Sequence, residues 1–146
     1  MVRYSDDSVI PVARDRLWRL LDRHAKDDEI PHIHPEVVSQ QTLSEAPGTY
    51  TAKRSVKVLR KVATATWRVT YSSPDRYGWE VLDGNGPWTA GSHLSIEYSD
   101  APGGTRLRTE GDLTVVGIPG FLQNRIVRLV LGRIDNEDVA FLAKNP

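Results

Sequence analysis

FLQNRIVRLVLGRIDNEDVAFLAK, residues 121–144, holds no proline and returns apolar side chains at helical spacing through Leu122, Ile126, Val130 and Ile134. That pattern predicts one long helix with a wet face. At about 1.5 Å per residue, roughly 24 residues make a rod of about 36 Å, comparable to the width of a small domain. A rod of that length in a chain of 146 residues has to be covered by something large. The preceding stretch supplies the cover, because most of residues 36–117 alternates apolar and polar side chains with period two.

Six strands are expected in that stretch, at 37–43, 49–59, 62–72, around 77–81, 88–98 and 105–116, with turns such as Pro47-Gly48, Ser73-Pro74-Asp75, Asp83-Gly84-Asn85-Gly86-Pro87 and Pro102-Gly103-Gly104 between them. The inward sets are clear. Tyr50, Ala52, Arg54, Val56 and Val58 oppose Thr51, Lys53, Ser55 and Lys57; Ala63, Ala65, Trp67, Val69 and Tyr71 oppose Thr64, Thr66, Arg68 and Thr70. Tyr77, Trp79 and Val81, then Leu94, Ile96 and Tyr98, then Leu107, Thr109, Gly111, Leu113 and Val115 continue the inner face. Alternation this one-sided is the mark of antiparallel strands with one dry and one wet face. Residues 2–12 add a seventh strand with Pro11 near its end, and 14–24 form a helix whose Leu17, Trp18, Leu20 and Leu21 share a side and which lacks a clear N-cap. The expected class is α+β in a single domain over 1–146, with about seven strands, a long C-terminal helix, and one or two short helices after strand 1.

The bulk properties exclude several functions. Nineteen basic and nineteen acidic residues cancel, leaving no global field for nucleic acid or an anionic membrane. No apolar run is long enough to span a bilayer, so no integral membrane association is expected. The acidic N-terminal stretch is wrong for a secretory signal, which makes the cytoplasm the expected compartment. With no cysteine, disulfides, thiolate metal sites and cysteine nucleophiles are ruled out.

Three segments carry a family likeness: Val9-Ile10-Pro11-Val12 leading into Leu17-Trp18-Arg19-Leu20-Leu21, then Thr109-Glu110-Gly111-Asp112-Leu113, then Pro119-Gly120-Phe121-Leu122. In their order along the whole chain they resemble the helix-grip domains of the START/Bet v 1-like (SRPBCC) superfamily, especially its polyketide cyclase/dehydrase and lipid-transport members. The resemblance implies a curved antiparallel sheet wrapped around the C-terminal helix, with an apolar cavity between them for a lipid, a polyketide or a similar molecule. It implies no particular reaction, because function resides in the site and not in the fold.

Large aromatics at Trp67, Tyr71, Trp79, Trp88 and Tyr98 stand beside small residues at Ala52, Ala63, Ala65 and Gly111 on the inner face. From the residues alone, that mix fits a solid core or a lined void; the resemblance implies the void. Arg54 intrudes on the dry register and needs an anion or a carbonyl. On a helical wheel with Leu122 at zero, Ile126 falls near about 40°, Glu137 about 60°, Val130 about 80°, Ile134 about 120° and Arg133 about 20°, so Glu137 enters the apolar stripe with Arg133 beside it. The expected ligand-binding set is Arg54, Trp67, Tyr71, Trp79, Tyr98, Ile126, Val130, Arg133 and Glu137. For Arg54, Arg133 and Glu137 a structural ion pair, or a helix end reaching water, is the competing reading. No catalytic residue is assigned; Glu137 and Tyr71 are the candidates for moving a proton if the protein is a cyclase or dehydratase instead of a binder.

His32 and His34 lie among Asp27, Asp28, Glu29 and Glu36, but the spacing matches no metal motif, so the segment is read as a short turn of helix or a loop, proline-rich and solvated, and no metal or cofactor is expected. His93 faces outward, and Glu110 and Asp112 are expected in surface charge pairs. Gly132 falls away from the dry stripe and is read as a point of flexing. The expected partner is a small hydrophobic ligand, with the chain a monomer or a homodimer.

Overall fold

The computed structural model describes residues 1–58, 60–84 and 86–144. Leu59, expected to end a strand, and Asn85, expected in a turn, lie outside the described residues, as does the side chain of Val58. In chain order the elements are β1 Val2–Ile10, α1 Arg14–His24, α2 Ile30–Ile33, β2 Val37–Ala46, β3 Thr49–Val58, β4 Lys61–Ser72, β5 Arg76–Gly84, β6 His93–Ala101, β7 Gly104–Leu113, a 3-10 turn Gly120–Leu122 and α3 Gln123–Lys144. The seven strands form one antiparallel sheet in the order β1-β7-β6-β5-β4-β3-β2.

The period-two alternation holds through most of the sheet, while β2 breaks it with register shifts at Val37/Ser39 and Thr42/Ser44, so that Val37 and Gln40 are its buried residues. Ala52, Ala65, Trp67, Val69, Val81, Leu94, Tyr98, Leu107 and Leu113 are buried on one face. The opposite face carries cross-strand ion pairs such as Arg68–Glu80 at 3.5 Å and Arg76–Glu97 at 3.2 Å. Glu110 and Asp112 pair with Arg3 across β1, each at 3.4 Å, as expected for surface carboxylates. One strand begins later than expected: 88–92 forms a turn in which Thr89 N–H donates to Thr114 and Trp88 makes an isolated bridge to Val115, so β6 starts at His93.

Of the small inner residues, Ala63 keeps accessible surface while the others are closed in. Ala52 and Ala65 are sealed. A Cβ on Gly111 would stand 2.2 Å from the His93 carbonyl oxygen and 3.0 Å from Leu94 Cα, so glycine is present there because β6 and β7 close onto each other.

The buried face of α3 is turned from the expected one. Its buried residues are Gln123, Val127, Leu131 and Leu142, with Asp138 nearly as enclosed. On the wheel these lie between about 100° and 200°, while Ile126 and Val130 flank them and are only partly buried. The helix backbone comes closest to β1 and α2. Gly132 is exposed, and an added Cβ would meet nothing within 4 Å. Gly132→Ala is therefore expected to stabilise the protein by about 1 kcal/mol through helix propensity, read as a rise in the urea midpoint. An unchanged or lower midpoint would mean that the helix bends at this position in the folded state.

Candidate functional site

The interior divides into apolar clusters. The first joins Trp67, Trp88, Val81 and Leu94 of the sheet side to Val127 and Leu131 of α3. The second joins α1 to Tyr98, Leu107 and Leu142, and another joins Tyr50, Ala52 and Val69. Trp79, Tyr71, Tyr77 and Ile96 each pack against two of these clusters and so stand where they meet. All four lie on the inner face, yet all four retain accessible surface. Tyr77 nevertheless has its phenol pushed well above the ordinary value by burial.

The sequence-predicted residues reach this region to different degrees. Trp79 stacks edge-on to Trp67 at 4.7 Å between ring centres and lies 5.9 Å from Trp88. Tyr98 is buried against Trp18, with ring centres 5.4 Å apart, and Tyr71 lies 6.4 Å from Tyr50. Arg54 finds a carbonyl, as its register demanded: Nε and Nη2 donate to Gln40 Oε1 at 3.0 and 2.8 Å. Its guanidinium also lies 5.1 Å from the centre of the Trp67 ring. Ile126 and Val130 border the first cluster. Arg133 is the exception. Its side chain is 69 % exposed and 4.0 Å from Glu36, on the outer face of α3. There it lines a surface hollow of about 460 Å³ with Arg128, Leu129, Asn136 and Ala140. A second hollow, about 610 Å³, opens between the start of α1 and the β6–β7 turn. Neither lies between sheet and helix.

Glu137 also departs from expectation, because its partner is not Arg133 but His34, whose Nδ1 lies 3.1 Å from Glu137 Oε1. His34 is buried, which corrects the reading of its segment as a solvated loop. The cause is α2: Ile30 and Ile33 anchor its apolar side and carry His34 inward, while His32 remains exposed. His24, the last residue of α1, faces the same point, since it follows Leu17, Leu20 and Leu21 on the buried side of that helix. Its Nδ1 lies 2.8 Å from the Leu20 carbonyl oxygen. His24 Nε2 and His34 Nε2 are 2.9 Å apart. Asp138 Oδ1 stands 3.2 Å from the first and 3.0 Å from the second.

Burial would raise the Asp138 carboxyl, but the two imidazoles outweigh it and hold it at about 2. For His34, burial favours the neutral ring, yet Asp138 and Glu137 prevail and raise its pKa. Burial and the neighbouring Glu36 raise Glu137. One turn back on α3, enclosure of its carboxyl together with Asp138 and Asp6 raises Asp135 to about 6, although the residue as a whole is exposed. The sequence reading missed His24, Asp135 and Asp138. The signal available for His24 was its spacing after Leu17 and Leu21; the two acids were hidden by the misplaced stripe on α3.

A family model described as polyketide cyclase / dehydrase and lipid transport matches residues 1–144. No curated protein matches the sequence. Among solved structures, Ara h 8.0201 superposes with a TM-score of 0.78 at 13% identity, covering 98% of this chain and 98% of that one. A START superfamily protein from Mycobacterium smegmatis gives 0.77 at 12% identity, with 99% of each chain covered. The di-domain ARO/CYC StfQ from the steffimycin biosynthetic pathway gives 0.74 at 14% identity, over 95% of this chain and 48% of that one. At these identities the likeness establishes the helix-grip fold and nothing finer.

Proposed function

Because this chain belongs to the polyketide cyclase/dehydrase and lipid transport family, we propose that it binds a small hydrophobic or amphipathic molecule between the sheet and α3. The observation that carries this reading is the accessible surface kept by Tyr71, Tyr77, Trp79 and Ile96 where the apolar clusters meet. Aromatic faces at such a junction supply apolar contact, and the tyrosine hydroxyls with the Arg54 guanidinium supply the few polar groups that orient a ligand. Trp67, Tyr98, Ile126 and Val130 form the surrounding wall. Among the described residues no helix is long and apolar enough to cross a membrane.

Quenching of tryptophan fluorescence by a panel of fatty acids and planar polyaromatic phenols tests the reading. Saturable binding is expected, and Ile96→Trp, which fills the junction, should weaken it at least about tenfold, roughly the 1.4 kcal/mol that one lost side-chain site represents. A wild-type protein that binds no member of the panel, or an Ile96→Trp variant that binds as well as wild type, would exclude the junction as the site.

A second reading, proton transfer on the bound molecule, would fall to Asp135, an exposed carboxyl raised to about 6 beside Asp138 and Asp6. Glu137, offered from the sequence for that role, is engaged with His34 instead. Turnover of a candidate poly-ketone substrate should then be lost in Asp135→Asn with binding retained. Equal turnover in the variant would leave the protein a binder.

A further inference from the structure

His24, His34 and Asp138 converge from three separate elements, and the hydrogen bonds around them determine what they present. A backbone carbonyl only accepts, so the 2.8 Å contact to Leu20 O assigns the proton of a neutral His24 to Nδ1 and leaves a lone pair on Nε2. The Glu137 carboxylate, as the acceptor at 3.1 Å, likewise places the proton of a neutral His34 on Nδ1 and leaves a lone pair on Nε2. Those two nitrogens and Asp138 Oδ1 face one another at 2.9, 3.2 and 3.0 Å. Asp138 Oδ1 is buried and makes no hydrogen bond of good geometry, despite both neighbours. With both rings in these neutral tautomers, three acceptors surround one point.

From this geometry we infer that His24 Nε2, His34 Nε2 and Asp138 Oδ1 form a binding site for a divalent first-row transition metal ion. With metal–ligand bonds of about 2.0–2.1 Å, neighbouring donors stand about 2.9 Å apart in an octahedron and about 3.4 Å apart in a tetrahedron. The three observed separations fall in that interval. Two imidazoles and one carboxylate suit zinc, iron or manganese better than calcium or magnesium, and three protein ligands leave positions for water or an exogenous group. The outer bonds have the form such sites require. A carbonyl on the far nitrogen of His24 and a carboxylate on that of His34 fix both rings in the ligating tautomer. Glu36 lies against the same ring, with Oε1 3.8 Å from His34 Nδ1 and the buried Oε2, which makes no hydrogen bond, 4.0 Å from the Arg133 guanidinium. This inference is independent of the hydrophobic-ligand reading.

The test uses the full chain, stripped with a chelator and titrated with Zn(II) against a chromophoric competitor. One equivalent should bind with micromolar or tighter affinity, and His24→Gln, His34→Gln and Asp138→Asn should each weaken it at least 100-fold. Histidine-detected nitrogen spectra of the wild type decide the matter even if a variant fails to fold. Zinc should shift the Nε2 resonances of His24 and His34, while those of the exposed His32 and His93 remain in place. Because zinc stands near the top of the affinity order for such donors, absence of stoichiometric uptake overturns the site. So does uptake that moves only His32 or His93. In either case the cluster is a proton-sharing pair of imidazoles held by Asp138 and Glu137.

Discussion

Gln123→Leu is expected to lower the unfolding free energy by about 3 kcal/mol, although leucine nearly matches glutamine in size. Gln123 is buried at the first turn of α3, where its Oε1 accepts from Val115 N–H at 2.9 Å. Its Nε2 donates to the carbonyl oxygens of Val115 and Ile118 at 2.9 and 2.8 Å. One side chain therefore serves both polar groups of Val115, a residue just past the end of β7, and ties the helix to the sheet. Leucine would fill the space but leave a backbone donor and acceptor unpaired out of water, each at a cost of about 1–3 kcal/mol. Gln123→Glu should be worse, since a carboxylate would then face two carbonyl oxygens. Urea unfolding followed by far-ultraviolet circular dichroism measures the change, and a loss below about 1 kcal/mol would show that apolar contacts alone seat the helix.

The second large effect is expected at Gly111. Alanine there would place Cβ 2.2 Å from the His93 carbonyl oxygen, inside the β6–β7 pairing of Leu94 with Gly111. The obstacle is backbone, so no rotamer change relieves it, and the strands must separate. A destabilisation of about 3 kcal/mol is expected. Gly120→Ala is the control: an added Cβ meets nothing within 4 Å, and its midpoint should barely move. Equal stability of the two variants would show that β6 and β7 do not depend on the close approach.

The strands were legible because each repeats one physical choice along its length. Arg68 and Glu80 need water while Trp67 and Val69 avoid it, and a single slip of register would invert every residue. The same logic identified 14–24 as a helix, from Leu17, Leu20 and Leu21. On α3 it misled. Leu122, Ile126, Val130 and Ile134 form the more evident apolar series, yet the face turned inward carries Gln123 and Asp138. Those polar residues are inward because each has an interior partner or neighbour, and a partner is invisible in a local pattern. The His24–His34–Asp138 group was illegible for the same reason. Its members come from α1, the end of α2 and α3, and only tertiary closure gives them a common point. Gly111 stayed ambiguous from its size alone: a missing side chain signifies a void or a close approach, and only the neighbouring strand's position distinguishes them.

The sheet order has a consequence for how the chain acquires its structure. β1 lies at one edge and pairs with β7, so that Val2 meets Leu113. The strands from β2 to β7 can zip in sequence, each beside its predecessor, but the N-terminal strand has no place to dock until the seventh has been made. α3 follows later still on the chain. During synthesis the concave face with Trp67, Trp79 and Tyr98 therefore emerges before the element that covers it, and long-range pairing of this kind is slow. The helix that completes the interior is also what ends the period in which that apolar face is open to other chains, so defects at Gln123 should appear in a cell first as aggregation of newly made protein.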